Sequence, residues 1–440
     1  MTERAQRDAI RSQATLLRGD LGDYDDVVAR AGQSHCVLLG EATHGTDEFY
    51  RMRAEISRRL IEEKHFDAVA VEGDWPDCHR LNRYVRGDGE DASARQSMGD
   101  FLRFPRWMWR NTVVLDFVEW LRAHNASRPR ASQAGFYGMD MYSMYRSADA
   151  VVEYLDDVDH EQAMLARHQY AALDHVRDPQ RYGYEAVAGL RPDCSAAVRQ
   201  RLVQLMRRAE DYRKRDDPDA ADAYFFAERN AYVVANAEKY YRAMFGSRAI
   251  SWNLRDAHMT QTLLALQKHL QAQGREGRVI VWAHNSHIGD ARATEMSLAG
   301  EYNLGQLVRQ NMPTDSTFLI GFTTYTGTVM AAREWGGEAE SRTVRPPWQA
   351  VANTCFATPD WRRSICPCKA MSPRNWSLRC WNARSACCIC RRRSARATTF
   401  ALAFPRNSMR CSISTRPMRS SRLTEYPASA GSEGRCLSGA

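Results

Sequence analysis

Four short apolar runs in this chain end in carboxylates and histidines: LLGEATHG (Leu38–Gly45), AVAVEGDWPD (Ala68–Asp77), GFYGMDMYS (Gly135–Ser143) and VIVWAHNSHIGD (Val279–Asp290). Each has the length and apolar composition of a strand buried on both faces, which is how the strands of a parallel sheet read. In a parallel α/β sheet all strand C-termini lie on one edge, and ligands bind in the crevice outside that edge. Segments far apart in the chain therefore converge on one pocket holding Glu41, His44, Glu72, Asp74, Asp140, His284 and His287.

The rest of the chain up to residue 346 fits that frame. Strands are predicted at 35–40, 66–72, 135–139, 278–283 and 317–322. Helices are predicted at 3–32, from Thr46 (as N-cap) to 64, from Pro76 to 85, and at 107–124. Residues 145–272 carry successive helical patterns and almost no strand signal. The fold class is α/β, a mostly parallel sheet with flanking helices and a helical insertion. Residues 1–144 form the first half of the core, 145–275 a helical insertion on the substrate side, and 276–346 the second half.

Residues 347–440 are aberrant. Residues 361–440 hold 16 Lys and Arg against two acids, whereas the remainder holds 45 against 51, so the overall +8 conceals an acidic main body. Nine of the twelve cysteines lie from Cys355 onward. CPC (366–368) and CCIC (387–390) lack the paired spacing of zinc modules. One frame over, Phe356–Pro367, Ser394–Phe400 and Ser414–Arg422 all become ordinary balanced protein text at the same offset. The expectation is a shift of reading frame near Pro346–Trp348, a disordered Arg/Cys/Ser-rich tail, and loss of the sheet's natural C-terminal strands.

Several function classes are excluded. No run of 18 apolar residues spans a membrane, and MTERAQRDAIRSQ is not a secretory leader, so the expected location is the cytoplasm. The main body has no basic face with interleaved aromatics for nucleic acid. G-x-S-x-G, Walker A, G-x-G-x-x-G and H-E-x-x-H are all absent, which disfavours a serine acyl-enzyme.

The residue types that remain suit proton chemistry. His44, after a strand and before a helix, can take a proton from water while Glu41 orients its ring and stabilises imidazolium. His284 or His287 can serve as a second acid/base or hold a developing oxyanion. Glu72 ends an apolar strand, and burial or pairing decides its charge. Asp74 and Asp77 also read as helix-start residues around Pro76, and Trp282 as core. Arg255 and His258 share a helix face; Arg255 either polarises a carbonyl or pairs with Asp256 or the sheet.

GEATHGTDEFYRMR, VEGDWPD, NRYV, GMDMYS, WNLRDAHM and WAHNSHIGDAR together resemble the erythromycin esterase family over residues 15–346. The resemblance implies a bacterial α/β hydrolase, some relatives of which open macrolide lactones, acting on a small-molecule ester or lactone. It implies His44 as the base that activates water, Glu41 and Glu72 as supporting carboxylates, His284 and His287 in water positioning or transition-state stabilisation, and Arg255 beside them. It implies no cofactor, although two carboxylates and three histidines can also bind a divalent ion. A metal-dependent hydrolase and an inactive small-molecule binding protein are the alternatives. The oligomeric state is left open.

Overall fold

The computed structural model describes residues 15–171, 173, 178–190, 194–214, 219–324, 327–334, 336–344, 364–367 and 399–404. Its centre is a sheet of eight strands: β1 (Thr15–Leu16), β2 (Cys36–Leu39), β3 (Ala68–Asp74), β4 (Gly135–Asp140), β5 (Val279–Trp282), β6 (Thr317–Thr324), β9 (Ser364–Pro367) and β10 (Thr399–Phe404). The spatial order is β1-β9-β10-β6-β2-β5-β3-β4, and all neighbours from β10 to β4 run parallel. The intervening β7 (Gly327–Ala331) and β8 (Glu340–Val344) form a separate antiparallel hairpin.

Alternation along each strand builds two cores. Val37, Leu39, Val69, Val71, Phe136, Ile280 and Trp282 point to one face with Phe49, Ile56, Phe117 and Leu121, from helices Asp47–Lys64 and Thr112–Ala126. Leu38, Ala70, Met139, Val279 and Val281 point to the other, under helices Ala220–Ala243, Arg248–Ala272 and Leu304–Asn311. A third core lies within the helical block, around Val151, Leu155, Tyr182, Val198 and Tyr224. Helix Ala220–Ala243 serves two cores: Phe225 and Val233 face the sheet, while Ala227 and Val234 face the helical block.

Register explains the convergence of the four motifs. Leu39 pairs with Trp282, Trp282 with Val71, and Val71 with Gly138. The residues that follow, Glu41, His284, Glu72 and Asp140, therefore leave the sheet side by side.

Three expectations need correction. The helix expected over 3–32 is confined to Asp25–Ala31 among the described residues: Thr15–Leu16 pairs antiparallel with β9, and Gly19 at φ 89° breaks the chain before Leu21–Tyr24 turns. The helix expected from 107 begins at Thr112, because the Asn111 side chain accepts the Val114 N–H and so marks the N-cap. Two strands also arise beyond residue 346. β10 pairs in parallel with β6 from Thr399↔Leu319 to Phe404↔Thr324, since TFALAF is itself a short apolar run of strand length. The rest of the tail, and with it the expected disorder and shifted frame, lies outside the described residues. No helix among the described residues is long and apolar enough to cross a membrane.

Candidate active site

The loop after β2 is held at almost every peptide. Asn285 N–H donates to Glu41 O (2.8 Å), Tyr50 hydroxyl to His44 O (3.0 Å), and Met330 N–H to Gly45 O (3.0 Å). Gly40 and Gly45 permit close approach of protein to protein: a Cβ would lie 2.0 Å from Asn285 Oδ1 at Gly40, and 2.0 Å from Met330 O at Gly45. This loop has no freedom to drift, so the side chains it carries are preorganised.

His44 Nδ1–H donates to Glu41 Oε1 at 2.9 Å, and Arg53 Nη2 donates to Glu41 Oε2 at 3.0 Å. Glu41 and Arg53 are fully buried, with the guanidinium over the rings of Tyr50 and Trp282. Burial alone would raise the Glu41 carboxyl; Arg53 and His44 outweigh it, leaving the acid below its ordinary range. Burial lowers the basicity of His44, and the Glu41 hydrogen bond and charge more than restore it, so its pKa sits above that of free histidine. The His44 side chain is 34% exposed, with its Nε2 side available to a ligand.

The ends of β3, β4 and β5 meet around Arg255. Its Nε donates to Asp140 Oδ1 (3.0 Å) and its Nη2 to Asp140 Oδ2 (2.6 Å) and Glu72 Oε1 (2.7 Å), while its Nη1 lies 2.9 Å from His287 Nε2. Of five guanidinium N–H groups, the two on Nη1 are left over when His287 is protonated. Glu72 Oε2 accepts the His284 backbone N–H at 2.8 Å. Against the effect of burial, His287 and Arg255 hold the Glu72 carboxyl well below its usual range.

The two histidines of the β5 loop lie behind the pocket. His284 Nδ1 accepts the Ser286 N–H (3.2 Å), which leaves Nε2–H to donate to Ala42 O (3.1 Å). Burial, then neighbouring His44, lowers its pKa to about 4, so this ring is neutral and structural in its contacts. His287 gives its Nδ1 proton to Asp256 (2.9 Å) and stacks on Trp252. Its Nε2 faces two opposed partners: Arg255 donates to the neutral ring, and Glu72 Oε1 at 3.3 Å accepts from the protonated one. Burial is outweighed by Asp256 and Glu72, which raise the ring to about 9, so the protonated form and its Glu72 contact prevail at neutral pH.

A cavity of about 430 Å³ opens beside these groups, and of the six candidate residues His44, Glu72 and Arg255 line it. Glu41, His284 and His287 sit behind that wall. Tyr142, Asp74, Asp77 and Asp140 form its polar end, where burial and neighbouring Asp74 push the Asp77 carboxyl up to about 8. The opposite wall is aromatic (Phe101, Phe104, Trp107, Trp109), and the β7–β8 hairpin roofs it with Val329 and Met330. Trp282 is core, its Nε1–H donating to Ser57. Arg255 pairs with the sheet rather than with Asp256. His258, on the same helix, is buried against Tyr232 and outside this site.

Sequence reasoning missed Arg53, Asp256, Tyr142 and the aromatic wall. Pro105 and the cap-forming Asn111 are the signals that 101–110 is not α-helical, holding only the short 3-10 turn Arg106–Met108. Among the described residues no group of three His, Cys, Asp or Glu is arranged to hold a metal ion, and the guanidinium of Arg255 takes the place between Glu72 and Asp140 that a cation would need.

The erythromycin esterase family model matches residues 61–400, running past residue 346, where the resemblance of the sequence motifs ends. An erythromycin esterase type II from Escherichia coli is 24% identical over 332 residues, covering 69% of this chain and 72% of that protein. A solved protein from Bacillus cereus superposes with TM-score 0.71 at 17% identity, over 92% of this chain and 98% of that one. A mutant erythromycin esterase in its open conformation superposes at 0.60 and 15% identity, over 88% and 94%. With most of its length matched, the chain belongs to the erythromycin esterase family and is a hydrolase of that family.

Proposed function

We propose that this protein hydrolyses a carboxylic ester or lactone with water activated by His44. The observation that carries the reading is the buried Glu41 carboxylate 2.9 Å from His44 Nδ1, with the far side of the imidazole open to a cavity. Water donates a proton to His44 Nε2 as its oxygen attacks the carbonyl carbon. Glu41 stays ionised and stabilises the imidazolium, and Arg53 keeps Glu41 ionised. The tetrahedral oxyanion takes an Nη1–H of Arg255. On collapse the alkoxide leaves with the proton from His44, giving acid and alcohol with no covalent enzyme intermediate. Glu72, His284, His287 and Asp256 position Arg255 and the His44 loop.

A cavity of about 430 Å³ is at the small end of the range for drug-sized ligands, roughly 300–1,000 Å³. It suits a small ester, or the reacting edge of a larger lactone such as a macrolide. The test is acid release, followed by pH-stat, across a panel of neutral alkyl esters, simple lactones and a macrolactone. Release above the buffer rate from at least one class is expected; background rates throughout would overturn the proposal and favour an inactive binding protein.

A further inference from the structure

We propose that Thr43 is a further catalytic residue of this site, its hydroxyl holding the attacking water for His44, with Thr46 as the residue that positions it. The inference rests on His44 being the base. Its starting point is a broken local rule. Thr46 stands at the N-cap of helix Asp47–Lys64 with extended backbone angles, where a threonine hydroxyl ordinarily accepts an N–H of the first helical turn. Here it makes no such bond. Its Oγ1 lies instead 2.5 Å from Thr43 Oγ1. A buried threonine has given up its helix cap for the hydroxyl of Thr43, a residue that lines the cavity beside His44. Departures of this kind concentrate at functional positions.

The surrounding loop makes the placement firm. The carbonyls on either side of Thr43 are both anchored, Ala42 O by His284 Nε2–H and His44 O by the Tyr50 hydroxyl. Each hydroxyl has one donor and two acceptor positions, so the Thr43–Thr46 bond leaves Thr43 able to bind one more partner from the cavity. The chemistry needs such a partner. Water has two hydrogens, and His44 takes one. Its lone pair is aimed at the carbonyl carbon only when the second hydrogen is also held. Thr43 Oγ1 accepts that second hydrogen bond. Thr43 itself gains and loses no proton: the C–O bond forms as His44 is protonated, and the second hydrogen of the water stays with the new carboxyl group.

The experiment compares wild type, Thr43→Val, Thr43→Ser, Thr46→Val and His44→Ala on one ester that the wild type hydrolyses, reading kcat and KM separately with a melting curve for each. Thr43→Val is expected to lower kcat by about 10²-fold with KM within roughly twofold. Thr43→Ser should restore most of the rate, and Thr46→Val should lower kcat with KM unchanged. Wild-type kcat in Thr43→Val, or an effect on KM alone, overturns the role while leaving His44 in place if His44→Ala is dead. An active His44→Ala variant removes the base reading and this inference with it. Should Thr43→Val fail to fold, Thr46→Val, which keeps the Thr43 side chain, decides: an unchanged kcat refutes the proposal.

Discussion

Glu41 lies wholly out of water, 2.9 Å from a histidine whose other face meets the cavity. A carboxylate so buried would ordinarily be neutral. Arg53, equally buried, keeps it charged from behind, so Arg53, Glu41 and His44 form one line of polarisation from the core to the pocket.

Replacing Glu41 by Gln removes the charge and leaves Arg53 unpaired. The expected kcat is about 10²-fold lower, and unfolding free energy falls by about 3–5 kcal/mol, the cost of breaking a buried pair. The base must be neutral to act, so wild-type kcat/KM declines as pH falls through the raised pKa of His44. Without Glu41 that decline moves to lower pH. Rate profiles and calorimetry on both proteins check the pair, and an unmoved acid limb contradicts it.

His287 offers a stability test. Its folded pKa of about 9 is above that of free histidine, so the stabilisation from Asp256 and Glu72 is complete below about pH 6.5 and is lost as pH rises through 9. The wild type is expected to lose melting temperature between pH 6.5 and 9, by an amount that Asp256→Asn largely abolishes. Parallel melting curves for the two proteins across that window contradict the assignment.

Gly45→Ala would set a Cβ 2.0 Å from the Met330 carbonyl. Backbone cannot yield as a flexible side chain does, so the β7–β8 hairpin is expected to lift from the His44 loop. Hydrogen exchange at Met330, whose N–H is bound to Gly45 O, should accelerate, and KM should rise because the hairpin roofs the cavity. Unchanged protection of Met330 refutes the contact.

How much of this was legible depended on which physical rule each residue obeys. Buried parallel strands are continuous apolar runs, so β2 to β6 could be read directly, and the polar residues after them had to share one edge. His44 and Glu72 were found in that way, whereas Arg255, on helix Arg248–Ala272, came only from the helix spacing and the family resemblance. Depth was not legible: nothing in HNSH says that both ring nitrogens of His284 bind backbone while His287 is turned toward Asp256. Arg53 and Asp256 lie on helices whose periodic pattern explains them as ordinary surface charges until the packing is known. Thr46 matched the N-cap rule in backbone and departed from it in side chain. In the tail, TFALAF reads as a strand only once β6 is seen to have an open edge.

The most direct test of the whole account is turnover by His44→Ala on an ester that the wild type hydrolyses, with far-UV circular dichroism and melting measured on the same samples. His44 is partly exposed and fills no core, so the fold is expected to survive while kcat falls by about 10³-fold or more. A native variant that keeps its rate within tenfold would show that water is activated elsewhere and that the Glu41–His44 pair is only structural.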